Sequence, residues 1–128
     1  MSRRWNRRAP MAVLVAGGLL LAACGGGGGG GDTKTATGGK IDVNAFDPFR
    51  FDVKTIDASA GPLTVTLHEK GASEHTFTIP DLNFEIKVTT DHPEASGTVT
   101  LAAGKTYSFK CSYDGHAAAG MVGKIVVG

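Results

Sequence analysis

The run Leu63-Thr64-Val65-Thr66-Leu67-His68 alternates apolar and polar residues without a break. Successive side chains of an extended strand point to opposite faces, so Leu63, Val65 and Leu67 share one face while Thr64, Thr66 and His68 share the other. The same period of two extends outward in both directions. Upstream it gives Ile41, Val43 and Ala45, then Phe49, Phe51 and Val53. Downstream it gives Phe77 with Ile79, then Phe84, Ile86 and Val88. Val99 with Leu101, Tyr107 with Phe109, and Ile125 with Val127 complete the series. Turn formers separate these runs: Asp47-Pro48, Ala60-Gly61-Pro62, Lys70-Gly71, Asp91-His92-Pro93 and Ala103-Gly104. No stretch sustains a helical period. About eight short strands at roughly ten-residue spacing predict an all-β domain over residues 40–128, a Greek-key β-sandwich.

Strand phase also says which reactive side chains face inward. His75 is in phase with Phe77 and Ile79, Cys111 with Tyr107 and Phe109, and Met121 with Ile125 and Val127. His68 belongs to the outer, threonine-bearing face. His116 lies in a loop, where phase does not place it, and His92 precedes Pro93 in a turn that reads as solvated. The chain holds two cysteines and three methionines, and Met1 and Met11 are both near the N-terminus. Both sulfur ligand types therefore meet in one segment, with four residues between Cys111 and His116 and four between His116 and Met121. A thiolate, an imidazole and a thioether on one loop, with a second inward imidazole at His75, form the donor set of a copper electron-transfer site. Two imidazoles and the thiolate bind strongly, and a weak axial thioether tunes the potential.

The N-terminal third has a different character. Arg3, Arg4, Arg7 and Arg8 precede an apolar stretch, Met11 to Leu21, too short to span a bilayer comfortably. It ends in Leu21-Ala22-Ala23-Cys24, which resembles a bacterial lipobox. That resemblance implies a signal peptide over residues 1–23, cleavage before Cys24, and acylation of Cys24 as a membrane anchor. An uncleaved signal anchor is the rival, but the glycine run after Cys24 does not continue a membrane helix. Residues 25–39 read as a flexible glycine-rich linker with a reach of roughly 20 Å. Cleavage leaves 105 of the 128 residues, with nine of the thirteen basic residues facing twelve acidic ones, a charge of about −3. There is no basic patch, so nucleic acid is not expected as a partner. With Cys24 lipidated, Cys111 is an unpaired thiol in an oxidising compartment, which metal ligation or burial resolves.

Competing chemistries fit less well. Structural zinc sites favour more thiolates and rarely take methionine. A multicopper oxidase needs more histidines than the four present. A Cys–His nucleophile leaves His75 and Met121 without a role. An exposed, flexible, Met-rich or His-rich cluster, as a copper carrier or buffer would offer, is absent from the sequence. That copper-handling role nevertheless stays open as the alternative, and a metal-free structural sandwich is a third reading.

Residues 40–128 resemble the cupredoxins, small type 1 copper proteins such as plastocyanin, azurin and auracyanin. The resemblance rests on Glu74-His75-Thr76-Phe77 and on Cys111-Ser112-Tyr113-Asp114-Gly115-His116 continuing through Ala117-Ala118-Ala119-Gly120-Met121-Val122-Gly123. It implies one copper ion held by His75, Cys111, His116 and Met121. It also implies an electron port at His116, ringed by Ala117, Ala118, Ala119, Gly120 and Val122 as a partner-docking patch. Two positions depart from the family. Many relatives carry Asn where this chain has Thr76, and that Asn helps orient the thiolate. Relatives often carry Pro where this chain has Asp114, whose carboxylate either favours Cu(II) or simply serves the turn. The expected role is that of a membrane-anchored, extracytoplasmic monomer carrying single electrons, not an enzyme. Its expected partners are redox proteins met transiently: a cytochrome, a respiratory complex or a copper-dependent oxidoreductase.

Overall fold

The computed structural model describes residues 32–128. The expected signal peptide of residues 1–23, the expected acylation site Cys24 and the glycine run lie outside the described residues. Ten strands follow in order: β1 Thr33–Thr35, β2 Lys40–Phe46, β3 Arg50–Phe51, β4 Thr55–Ala58 and β5 Gly61–Glu69. They continue with β6 His75–Ile79, β7 Phe84–Val88, β8 Glu94–Leu101, β9 Thr106–Lys110 and β10 Val122–Val127. One sheet has the order β1-β4-β10-β9-β6-β7 and the other β3-β2-β5-β8. The expected all-β sandwich is therefore the fold. Among the described residues, no helix is long and apolar enough to cross a membrane.

The alternation in β5 works as read. Leu63, Val65 and Leu67 are buried, and Thr64 and Thr66 bond across the outer face to Thr98 and Ser96 at 2.8 Å each. His68 is also on that face, between Asp42 and Glu94. Inside, three aromatic rings join the sheets. Phe51 of β3 meets Phe77 of β6 and Phe109 of β9 edge-on at 5.9 and 5.6 Å, and Phe77 stacks on Phe109 at 4.6 Å. Burying rings of this size contributes several kcal/mol to the core, on the order of 1.5–3 kcal/mol each. Two residues from Phe77 on the same face is His75, and two residues beyond Phe109 is Cys111, so this aromatic cluster forms the floor on which the site stands.

The structure corrects four expectations. Residues 25–39 are not all linker: β1 pairs in parallel with β4, and Ala36 N–H donates to the Asp57 carbonyl at 2.8 Å. Lys34 anchors this strand through Asp52 at 2.6 Å and the Asp42 carbonyl at 2.9 Å. The folded unit thus starts at β1 rather than at Lys40. An edge strand held by backbone bonds and an ion pair carries no apolar alternation to reveal it. The single strand expected over Phe49, Phe51 and Val53 is instead a two-residue β3 on one sheet, followed by β4 on the other. β1 and β4 account for ten strands where about eight were expected. Phe49 lies in the Asp47–Phe49 turn and is 39% exposed, not core.

Candidate metal centre

The site is assembled from three places. Cys111 follows the last residue of β9 and Met121 precedes the first of β10. The antiparallel register pairs Val122 with Lys110, which leaves Cys111 and Met121 facing one another just past the ladder. Cys111 N–H donates to the Met121 carbonyl at 3.0 Å and closes the loop between them. Within the loop, His116 N–H bonds Tyr113 O at 3.1 Å and Met121 N–H bonds His116 O at 3.1 Å, fixing the imidazole between its two neighbours. Gly115 at φ 80° and Gly120 at φ 109° take left-handed conformations that a side chain would strain. His75 enters from the first residue of β6 in the same sheet.

Three of the four expected ligand residues bring their donor atoms together, and Met121 is tied to two of them, Cys111 and His116, through its backbone. His75, Cys111 and Met121 are fully buried, and His116 is partly exposed. The ligand atoms of His75, Cys111 and His116 all lie within 4.8 Å of one another. Cys111 Sγ is 3.3 Å from His116 Nδ1, and the His75 and His116 rings are 5.4 Å apart between centroids. Cys111 is a free thiol. Both ring nitrogens of His75 are buried with no hydrogen-bond partner. A buried imidazole without a partner is costly, and a metal on one nitrogen removes that cost. Burial and the nearby His75 hold His116 below the ordinary imidazole value, which favours the neutral ring over the charged one. The donor set of two imidazoles, a thiol and a thioether fits copper.

Thr76 touches this centre directly. Its backbone N–H points at Cys111 Sγ at 3.4 Å, its hydroxyl lies 3.8 Å from the same sulfur, and Ser112 N–H donates to Thr76 Oγ1 at 2.7 Å. Threonine thus ties β6 to the Cys111 loop, the task expected of asparagine in relatives. Asp114 is exposed in the loop turn, and its carboxylate makes no hydrogen bond among the described residues. Ala118, Ala119 and Val122 are exposed and Ala117 and Gly120 half-buried, so the expected docking residues do reach the surface. Lys54 Nζ bonds the Gly120 carbonyl at 3.0 Å and steadies that end of the loop.

Several neighbours went unread in the sequence. Phe49 packs on His116 at 4.6 Å, and Tyr113 flanks the same ring at 5.6 Å. The Tyr113 hydroxyl donates to Glu74 at 2.6 Å, and this bond, with Lys87 at 3.2 Å, holds Glu74 below the usual carboxylate range. On the far side of His75, Nε2 faces Asp47 Oδ1 at 3.4 Å and Glu69 Oε2 at 3.8 Å. Glu69 was legible: it shares the phase of Leu63, Val65 and Leu67, which marks it as an inward carboxylate. Phe49 carried a misleading signal: its alternation with Phe51 and Val53 marked it as core, but it lies in a turn against His116.

Residues 20–127 match the sequence model of a family described as a cupredoxin-like domain. No match is found among curated proteins. Several solved structures share the fold. Reduced auracyanin from the photosynthetic bacterium Roseiflexus castenholzii is 23% identical over 73% of this chain and 98% of that one, with a TM-score of 0.58. The metal-binding domain of the Cu(I)-exporting P-type ATPase CopA of Streptococcus pneumoniae D39 is 17% identical over 78% and 99%, at 0.62. Rusticyanin from Thiobacillus ferrooxidans is 27% identical over 77% and 84%, at 0.54.

Proposed function

Because the chain belongs to the cupredoxin-like domain family, we propose that it binds one copper ion at a type 1 site and carries single electrons. The observation that carries this reading is His75. Both of its ring nitrogens are buried and unbonded, beside the Cys111 thiol and the His116 ring. His75, Cys111 and His116 would hold the ion strongly, and the Met121 thioether would add a weaker bond that tunes its potential. Copper, when bound, supplies a one-electron couple between Cu(II) and Cu(I). The chain's own contribution is a fixed frame. Ladder bonds, loop bonds and the aromatic floor hold the donors before metal arrives, so little rearrangement accompanies a change of oxidation state. The partly exposed His116 ring is the electron port, with Ala117, Ala118, Ala119, Gly120 and Val122 as the surface a partner covers.

The lipobox-like segment before Cys24 supports an extracytoplasmic protein anchored by acylation of that cysteine. A tethered domain suits brief encounters with redox proteins such as a cytochrome, a respiratory complex or a copper-dependent oxidoreductase. No substrate chemistry is proposed.

Copper delivery is the second reading, favoured by the likeness to the CopA metal-binding domain, whose structure holds Cu(I). Buried, preset ligands oppose it, since metal transfer needs donors that a partner can reach. Comparing electron self-exchange of the copper-loaded protein with copper release to an apo-acceptor separates the two. Fast exchange with slow release is expected. Slow exchange with fast release replaces the electron carrier with a copper carrier.

A further inference from the structure

His75 has two ring nitrogens and only one belongs to the metal. Nε2 faces two carboxylates, which leaves the buried, unbonded Nδ1 as the nitrogen available to the metal. Each carboxylate is built into place by one oxygen and leaves the other for the ring. Glu69 Oε1 accepts Gly71 N–H at 2.5 Å, and its Oε2 is buried, unbonded and 3.8 Å from His75 Nε2. Asp47 Oδ2 accepts Ala72 N–H at 2.7 Å, and its Oδ1 lies 3.4 Å from the same nitrogen. The Glu69 side chain is only 1% exposed and that of Asp47 37%. Gly71 leaves the room: a Cβ there would collide with the Asp47 carboxylate. Three separate segments, the Asp47 turn, the end of β5 and the Gly71–Ala72 turn, thus deliver two carboxyl groups to one imidazole edge.

A carboxylate is acceptor-only, so the ring nitrogen facing it carries the hydrogen and the other keeps its lone pair. A carboxylate behind a ligating histidine also makes the imidazole a stronger donor. Negative charge next to the centre favours Cu(II) over Cu(I), since the oxidised ion carries one more positive charge. We propose that Asp47 and Glu69 are positioning residues that fix His75 as the Nε2–H tautomer, reserve Nδ1 for copper and lower the reduction potential of the centre. This rests on the type 1 reading above and adds to it a device particular to this chain's Asp47, Glu69 and Gly71.

The test uses Asp47→Asn and Glu69→Gln, singly and together, in the full-length protein, with two readouts. In the copper-free protein, nitrogen-15 NMR of the histidine rings should show His75 as a single Nε2–H tautomer. The double variant, whose amides donate as well as accept, should give a mixture. In the copper-loaded protein, the ratio of Cu(II) to Cu(I) affinity should fall about tenfold or more in the double variant. Tenfold is a rise of about 59 mV in a one-electron potential. A type 1 spectrum with an affinity ratio unchanged within twofold overturns the proposal and leaves the electron-carrier reading intact. A wild-type protein with no type 1 spectrum defeats that reading instead. The tautomer then judges the pair, because an Nδ1–H or mixed His75 in the wild type overturns it without any metal. If the double variant does not fold, Asp47→Asn, at the more exposed of the two sites, carries both readouts, with the same results counting for and against.

Discussion

Thr76 shows how one side chain couples the frame to the sulfur. Its hydroxyl accepts from Ser112 N–H and lies beside Cys111 Sγ. Thr76→Val keeps the shape and removes the acceptor, so the Ser112 N–H loses its partner. The expected cost is about 1 kcal/mol in a denaturant midpoint, with the thiolate absorption of the copper form shifted. A midpoint and spectrum both unchanged would show that the bond does nothing. Met121→Leu should keep copper and raise the reduction potential, because it removes a donor that stabilises Cu(II). An unchanged potential would count against Met121 as the axial ligand. At this scale much of the site was legible. Strand phase selected His75 over His68 and turned Cys111 and Met121 inward. Phe49 was not legible, because its contact with His116 depends on a turn that brings residues sixty-seven positions apart together.

Between elements, β10 packs tightly beside its antiparallel neighbour β9 at Gly123. Gly123 pairs with Phe109, and a Cβ at 123 would overlap the Phe109 ring and the Lys54 carbonyl. Gly123→Ala should therefore destabilise the fold by about 1–3 kcal/mol, the usual range for overpacking, and disturb the loop that starts at Cys111. A melting temperature equal to wild type would contradict this. Strand β1 gives a pH prediction. Burial raises the Asp52 carboxyl, but Lys34 and Asn44 outweigh it and hold Asp52 below the ordinary value. A depressed carboxyl stabilises the fold above its unfolded pKa and loses that contribution as pH falls through the folded one. The anchor of β1 should thus hold at neutral pH and loosen only below about pH 4. Amide exchange at Ala36 reads it, and Lys34→Ala should release the same amide at neutral pH. Full protection of Ala36 in that variant would place the anchor elsewhere. β1 was invisible to periodicity because an edge strand needs backbone partners more than an apolar stripe, whereas β4 does alternate, with Ile56 and Ala58 buried, but over only four residues.

On the scale of the whole molecule, the sandwich was readable from alternation and turn residues, because a sheet buried on one face writes its orientation into every second residue. The order of strands within each sheet was not, since period two states which face a residue takes and never which strand lies alongside. A domain this small buries a modest share of its surface, so a metal bound only by the folded state should stabilise it measurably. Copper at a thousand times its dissociation constant adds about 4 kcal/mol. For a domain of this length that raises the melting temperature on the order of 20 °C. The most direct measurement is the visible and EPR spectrum after Cu(II) is added, taken beside Cys111→Ala. An intense thiolate-to-copper band with narrow parallel hyperfine splitting, absent from the variant, is the predicted result. A weak, ordinary Cu(II) spectrum, the same in both proteins, would contradict a type 1 centre at His75, Cys111, His116 and Met121.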